Sequence, residues 1–217
     1  AGNPGAHTVA VTWGDGSANT TLNLGAGVLT FSAPHQYLDN QPSNAAYVVG
    51  VTITAGGGPA TNASVSVAVN NVAPGNLSAA ASPAVINENG STVLSGSFTD
   101  PGTLDTHSVV VNWGDGSANT TVNLPPGQLS FNAAHQYGGV ILDTAYTVNV
   151  TVTDKDGGSV SGTAPVTVKN VAPGAPTIAG NPGVIDEGGT TTLAGSFTDA
   201  GSPGPHTVAV SWGDGSA

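Results

Sequence analysis

Short runs in which apolar and polar residues alternate cover most of the chain. In one run Val109, Val111 and Trp113 share a face. Alternation with a period of two predicts β-strands that bury one side, and no window shows the period of a helix. The same pattern recurs in neighbouring runs, which are centred on Leu94, Phe131, Val148 and Val166.

Turn-forming pairs separate these runs and set their length. The pairs are Asn89-Gly90, Asp115-Gly116, Pro126-Gly127 and Asp156-Gly157. About seven short strands with a turn signal every 8–12 residues are typical of a two-sheet sandwich. The pattern therefore predicts an all-β chain of immunoglobulin-like β-sandwich modules, with Trp113 as the anchor of the core.

An internal repeat divides the chain. The run Trp13 to Ala18 returns at Trp113 and again at Trp212, with offsets of 100 and 99 residues. Ranges 35–37, 71–75 and 96–100 return as 135–137, 170–174 and 195–199. Self-similarity of this period indicates tandem modules. We expect a module at 1–73 that lacks its first strands, a complete module at 74–173 and the N-terminal part of a third at 174–217, together a window onto a longer array.

The low content of charged residues limits the kinds of molecule that the chain could bind. Only 7% of the residues are charged, the net charge is −11, and Lys155 and Lys169 are the cationic side chains. Nucleic-acid binding needs Lys or Arg against the phosphates, so it is not expected, and anionic membranes are disfavoured for the same reason. The chain has no Cys, which rules out disulfides, and no apolar run approaches the length of a membrane span.

Three of these features together resemble a known family. Trp113-Gly114-Asp115-Gly116-Ser117, His135-Gln136-Tyr137 and the strand Tyr146 to Asp154 are similar to the PKD (polycystic kidney disease) repeat. The resemblance implies an immunoglobulin-like sandwich in extracellular proteins, used as a spacer, an adhesion module or an accessory binding module. It also implies Ca²⁺ near module junctions in some bacterial members.

Four carboxylates are the candidate metal ligands. In a sandwich of this kind the loop after the second strand and the loop before the last lie at one end, which would gather Asp100, Asp105, Asp154 and Asp156. Hard oxygen ligands suit Ca²⁺, and a solvated acidic loop is the alternative. No cofactor is required by the sequence. The first module has Ala55-Gly56-Gly57 in the corresponding loop, which puts a metal site in doubt there.

Other polar residues have structural interpretations. Asp15, Asp115 and Asp214 are expected to cap the Trp-Gly-Asp-Gly turn, with a surface contact as the alternative. His35 and His135 alternate inward with Tyr37 and Tyr137 and are expected to be hydrogen-bonded core residues. Glu88 and Glu187 are either solvated turn residues, which is preferred, or further cation contacts.

Catalysis is not expected. The sequence has no Cys nucleophile, no Gly-x-Ser-x-Gly elbow with a matching triad and no phosphate-binding Gly-rich loop with a Lys. A repeated element is also a poor catalytic site, because an array does not need one in each copy.

The sequence thus predicts a structural repeat segment of a long secreted or cell-surface protein, bacterial in type. Its modules would form an extended rod or a self-assembled extracellular fibre, adhesive and stiffened by Ca²⁺. Its partners would be neighbouring modules, further copies in a filament, and a cell-surface or matrix glycan or protein. An accessory substrate-binding module of a secreted hydrolase is the alternative function.

Overall fold

The computed structural model describes residues 5–56, 58–201 and 204–215. The outer limits of the predicted modules, residues 1 and 217, lie outside these ranges. The described chain is nearly all β, with a single 3₁₀ turn at Pro42–Asn44 as its helical element. We refer to an N-terminal unit (5–73), a central unit (74–173) and a C-terminal unit (174–215).

The central unit is an immunoglobulin-like β-sandwich of two sheets. Its strands are β5 (Gly75–Ser82), β6 (Val85–Asn87), β7 (Ser91–Thr99), β8 (His107–Asn112), β9 (Thr120–Leu124), β10 (Ser130–Gln136), β11 (Thr144–Asp154) and β12 (Ser159–Lys169). One sheet has the order β10-β7-β5 and the other β6-β12-β11-β8-β9. The pairs are antiparallel except β6 with β12, which run parallel.

The core of the central unit lies between these sheets. Trp113, Val109, Val111, Val148, Val150 and Val152 are all fully buried. Gly114 has a φ of +80°, and a side chain there would meet the Thr147 carbonyl oxygen at 2.6 Å. The glycine after the tryptophan therefore lets the chain turn tightly against β11. The predicted all-β fold, the alternation of the strands and the buried Trp113 are confirmed.

The N-terminal unit has one sheet. It is made of β1 (His7–Thr12), β2 (Thr20–Leu24), β3 (Tyr47–Ala55) and β4 (Ala60–Val67), in the order β2-β1-β3-β4. Residues 30–36 correspond to β10 but form no strand. In the central unit β10 pairs with β7, and the described residues supply no equivalent of β7 to this unit.

The C-terminal unit has one hairpin, β13 (Thr177–Asn181) paired with β14 (Thr192–Ser196). Residues 206–211 correspond to β8 but form no strand in the described structure. Trp212 is 47% exposed, whereas Trp113 in the same motif is fully buried. The equivalents of β9 and β11, which flank β8 in the central unit, are not among the described residues of the C-terminal unit, so the same motif has a different environment there. Among the described residues no helix is long and apolar enough to cross a membrane.

Replacement of Trp113 by alanine tests the role of the core anchor. Truncating a buried aromatic residue costs about 3–5 kcal/mol. At about 4–8 °C per kcal/mol for a domain of this size, the melting transition of the central unit should fall by more than about 10 °C. Trp212→Ala is the matched control, since the same side chain is exposed there. Calorimetric transitions that respond equally to both substitutions would contradict this assignment.

Candidate cation site at the junction of two units

Three carboxylates meet at the end of the central sandwich that faces the N-terminal unit. Asp100 directly follows β7, Asp105 lies two residues before β8, and Asp154 is the last residue of β11. The pairing of His107 with Asp154 fixes the ends of β8 and β11 side by side. One oxygen from each carboxylate lies within 4.8 Å of the others, and all three residues are buried. The register of the paired strands therefore brings the three carboxylates together, although they are far apart in the sequence.

Asp100 is held by its own loop. Its Oδ1 accepts a hydrogen bond from Gly102 N at 2.8 Å, and its Oδ2 lies 2.8 Å from His107 Nε2. A side chain at Gly102 would meet the Asp105 carboxylate, so glycine lets that carboxylate lie directly against the loop. His107 and Asp100 are both almost completely buried, which makes this contact well shielded from water.

Asp154 links the central unit to the preceding segment. Its Oδ1 accepts hydrogen bonds from Asp156 N at 2.9 Å and Gly158 N at 2.8 Å. Its Oδ2 accepts one from the Asn71 side-chain amide at 2.9 Å. Asn71 lies in the Asn-Val-Ala-Pro segment before β5, so this carboxylate joins the turn of its own unit to the chain that enters it.

Asp105 is the carboxylate with the fewest partners. It is 1% exposed, and neither of its oxygens makes a hydrogen bond to the described residues. Lys155 Nζ lies 3.1 Å from Oδ1, as an ion pair without hydrogen-bond geometry. Burial raises the pKa of Asp105, and Lys155 offsets part of that rise. A buried carboxylate with unused oxygens is costly unless a cation or a proton meets it.

Lys155 organises a second group on the other side of Asp105. Its ammonium contacts Asp39 at 2.8 Å and also Asp156. Burial lowers the pKa of Lys155, but the hydrogen bonds that its ammonium donates to Asp156 and Asp39, together with the nearby Asp105 carboxylate, raise it by more, so the ammonium is charged. Because Asp39 belongs to the N-terminal unit, this ion pair spans two units.

The sequence placed four carboxylates in one loop cluster. The structure brings Asp100, Asp105 and Asp154 together, and it places Asp156 with Asp39 and Asp105 in the second group. Asp39 and Asn71 were missed, because nothing in the repeat pattern says which loop of one unit faces the next. Whether the group binds a metal stays a prediction at this point.

The cluster is not a repeated feature. By alignment of the repeats, Gly5 and Gly204 correspond to Asp105, and Ala55 corresponds to Asp154. Only the central copy has all three carboxylates. The cluster therefore belongs to the junction before the central unit and is not a general requirement of the fold.

The second junction depends on Glu88, which was expected to be a solvated turn residue. It is buried instead. Its carboxylate accepts hydrogen bonds from Val171 N at 2.7 Å and Val140 N at 3.2 Å. A side chain at Gly201 would collide with the same carboxylate. The expectation was wrong because the linker that leaves the unit folds back over this turn, which local sequence does not show.

A polar network repeats beside the tryptophan. Asp115 Oδ1 accepts hydrogen bonds from Ser117 N at 3.0 Å and Ser117 Oγ at 2.6 Å, and its Oδ2 lies 2.8 Å from His135 Nε2. The His135 ring stacks on Trp113 at a centroid distance of 4.6 Å. The expected turn-capping aspartate and hydrogen-bonded histidine are thus parts of one network. The same contacts join Asp15, Ser17 and His35 in the N-terminal unit.

Comparisons with known proteins give structural likeness only. No family model matches the chain, and no curated protein matches it. The crystal structure of a tetra-tandem repeat in the extending region of a large adhesion protein is similar at 18% identity and a TM-score of 0.48, covering 92% of this chain and 57% of that one.

The crystal structure of the chicken CNTN1 FN1-FN3 domains is similar at 11% identity and a TM-score of 0.29, covering 81% of this chain and 62% of that one. The chain therefore spans less than two thirds of either structure. Likeness at this level assigns neither a family nor a function.

The Asp115 network predicts a loss of stability in acid. Burial raises the pKa of Asp115, but hydrogen bonds from Ser117 and His135 outweigh it, so the pKa lies below the ordinary value of 3.8. In the N-terminal unit Ser17 and then His35 lower the pKa of Asp15 to about 2. A lowered folded pKa gives stability that is complete above the unfolded pKa and is lost as the pH falls through the folded value.

The free energy of unfolding of the parent should therefore exceed that of Asp115→Asn most at pH 5–7, with the difference shrinking below about pH 4. Ser117→Ala keeps the carboxylate but loses one donor, so it should lie between the two. Urea titrations at several pH values measure this. A difference that is constant from pH 2 to pH 7 would show that the carboxylate charge does not matter.

Proposed function

We propose that the chain is a non-catalytic spacer segment of a long secreted or cell-surface protein, in which PKD-like units are held in line by structured junctions. The observation that carries the proposal is the contact between the N-terminal and central units. Lys155 pairs with Asp39 across the junction, and Asn71 bonds to Asp154. A spacer needs limited bending between units, and each of these contacts restricts it.

Close packing supports the same interpretation. A side chain at Gly158 would meet the Ala73 Cα at 2.8 Å, so the turn after β11 lies directly against the linker. Proline at 74 fixes φ in that linker. At the other junction the buried Glu88 binds the backbone of the outgoing linker at Val171. Both ends of the central sandwich therefore contact the linkers that join it to the neighbouring units.

Calcium is the second part of the proposal. Asp100, Asp105 and Asp154 would hold the ion, because they offer buried carboxylate oxygens that hard cations prefer. Their fit is supported by Asp105, whose oxygens lack hydrogen-bond partners among the described residues. Bound Ca²⁺ would neutralise a buried negative cluster. Since Asp154 also binds Asn71, the ion would tie the sandwich end to the linker.

An accessory substrate-binding role is less well supported. Modules that bind polysaccharide need exposed aromatic side chains, whereas the aromatic residues of the central unit face inward. Phe98, Trp113, Phe131 and Tyr137 are buried, and Tyr146 is half-buried. A spacer on a bacterial cell surface, in which adhesion would lie in other segments, agrees better with this burial and with the nearly Lys-free surface.

Loss of the ion pair between Lys155 and Asp39 should widen the range of orientations between the N-terminal and central units. The chain has no Cys, so spin labels can be placed at Thr61→Cys and Asn149→Cys, both exposed sites on different units. We expect a narrow distance distribution in the parent and a clearly broader one in Lys155→Ala. Lys169→Ala is the matched control, because Lys169 pairs with Asp143 inside the central unit. Equal widths in all three proteins would refute a structured junction.

Calcium should raise the melting temperature. A ligand present at 100 times its dissociation constant adds about 2.7 kcal/mol to stability. For a domain of this size that equals a rise of roughly 10–20 °C. Asp105→Asn should abolish the calcium-dependent rise and should not be less stable than the parent in EDTA, because it removes a buried charge.

Asp143→Asn is the control for the loss of one negative charge. It changes an exposed carboxylate at the opposite junction and should leave the response to Ca²⁺ intact. Melting temperatures of the parent that are the same in EDTA and in millimolar Ca²⁺ would remove calcium from the proposal while leaving the spacer function standing.

A further inference from the structure

A parallel strand pair joins the beginning of the central unit to its end. β6 pairs with β12, with Val85 opposite Thr167 and Asn87 opposite Lys169, whereas the other strand pairs described for this unit are antiparallel. β6 follows β5, the strand by which the chain enters the unit, and β12 is the strand from which the chain leaves. The pair therefore connects the two segments through which tension along the chain would pass.

The chain enters and leaves the central unit at opposite ends of β12. A side chain at Gly158, just before β12, would meet Ala73 of the incoming linker at 2.8 Å. At the other end of β12 the Glu88 N–H donates to the Lys169 carbonyl at 2.9 Å, and the Glu88 carboxylate accepts a hydrogen bond from Val171 N of the outgoing linker at 2.7 Å. Tension along the chain therefore pulls β5 and β6 towards one end of the unit and β12 towards the other.

This direction of pull places the β6–β12 pair in shear. Ladder hydrogen bonds run from one strand to the next, so a force along the strands loads all of them together. A force across the strands instead opens the ladder from one end and breaks the bonds in turn. Bonds that share a load must break in one event, which slows unfolding under force, and the unfolding rate is the quantity that governs forced unfolding.

We propose that residues 84–88 and 167–171 form a load-bearing clamp, which makes the central unit resist stretching along the chain. The spacer function requires only that neighbouring units stay in line, so this inference goes beyond it. The clamp lies within one unit and does not depend on Ca²⁺.

Backbone hydrogen bonds and buried side chains hold the clamp together. Thr167 N donates to the Ala84 carbonyl at 2.8 Å just before β6 begins, and the Glu88 N–H bonds to β12 just after β6 ends. Ile86 and Val168 face each other in the middle of the pair, and both are buried. Water has little access to these positions, so a bond that breaks there is not readily replaced by one to solvent.

The Glu88 side chain extends the clamp past the last paired residue of β6. Its carboxylate binds Val171 N, two residues beyond the end of β12, and also Val140 N in the loop before β11. A carboxylate is a stronger hydrogen-bond acceptor than a neutral oxygen. Glu88 therefore adds a strong contact at the point where tension in the outgoing linker reaches the unit.

β5 is less suited than β6 to carry the load. The register of its pairing with β7 shifts between Gly75 and Ser78. The side chains by which β5 packs against the core are only partly buried, and two of the three are alanines: Leu77, Ala79 and Ala81. We therefore expect β5 to yield first, which passes the load on to β6.

Single-molecule stretching of the full chain tests the clamp. The chain has no Cys, so handles can be attached at Val72→Cys and Ala172→Cys, exposed positions in the two linkers, and the load then crosses only the central unit. Ile86→Ala should unfold at least about tenfold faster than the parent at the same load, because it removes a buried side chain of the clamp. Leu124→Ala is the matched control, since Leu124 is also buried but lies on β9, at the other edge of the same sheet. It should lower the melting temperature as well, yet leave the unfolding rate under load close to that of the parent, because contacts that are still intact in the transition state do not change that rate.

Glu88→Gln tests the contribution of the side chain with the same two handles. Glutamine has nearly the same shape, but it offers one neutral acceptor to the two backbone N–H groups, so this variant should unfold several-fold faster than the parent at the same load. Asp143→Asn is the matched control, because Asp143 accepts a hydrogen bond from Asn170 N of the same linker at 3.0 Å. It holds the linker on the side of β11, where ten register pairs with β12 already share the load, so its unfolding rate should equal that of the parent.

The direction of pull gives the decisive result, and it needs no change in the clamp itself. Handles at Ser91→Cys and Ala172→Cys both lie at the Glu88 end of the unit, so this pull does not shear β6 against β12. The protein should then unfold at a clearly lower force than with the handles in the two linkers. Equal forces in the two directions would overturn the clamp, as would equal effects of Ile86→Ala and Leu124→Ala on the unfolding rate under load. Neither result changes the distances between labels across the first junction, so the spacer function is tested separately.

Discussion

The structure depends on one constraint: each sheet has an apolar face that must be covered, by a second sheet in the central unit and in part by Ala33 and Tyr37 in the N-terminal unit. The chain has few charges to form ion pairs and no cysteine to form disulfides, so burial between sheets is the main source of its stability. Where the facing sheet is present, Trp113 is fully buried. In the C-terminal unit, whose described residues lack the equivalents of the flanking strands β9 and β11, the same motif leaves Trp212 half-exposed and residues 206–211 outside any strand. Local sequence therefore sets strand propensity, and the presence of neighbouring strands to pair with decides whether a strand forms.

The junctions follow from the same constraint. A sandwich buries its sides well, but its two ends are made of loops whose backbone groups need partners. In the central unit carboxylates fill this need: Asp154 binds the incoming linker through Asn71, and Glu88 binds the outgoing linker at Val171. Placing carboxylates in buried positions costs free energy unless donors or cations surround them. The ends that join units are consequently the places where a cation would have the largest effect on stability.

The parts of the fold that depend on alternation and turns could be predicted from sequence. The strands around Val109, Val148 and Val166 and the inward Trp113 follow from a period of two. The gathering of Asp100, Asp105 and Asp154 also followed, because an immunoglobulin-like order puts those loops at one end. Asp39 and the burial of Glu88 could not be predicted, since both depend on how a neighbouring segment lies against the unit. The exposure of Phe31 and Trp212 depends equally on which neighbouring strands are present.

Repetition and divergence have different consequences in this chain. Residues at core positions, such as Leu94 and Leu193 or Phe131 and Phe31, are the same in different repeats, so the core positions are interchangeable among them. Because these positions are the same, core packing gives little specificity for which unit lies next to which. The carboxylate cluster differs, because Gly5, Ala55 and Gly204 replace its members in the other copies. A junction that contains Asp105 and Asp154 is thereby distinct from other junctions, and its ionic contacts can fix which unit follows which while the shared core supplies the stability.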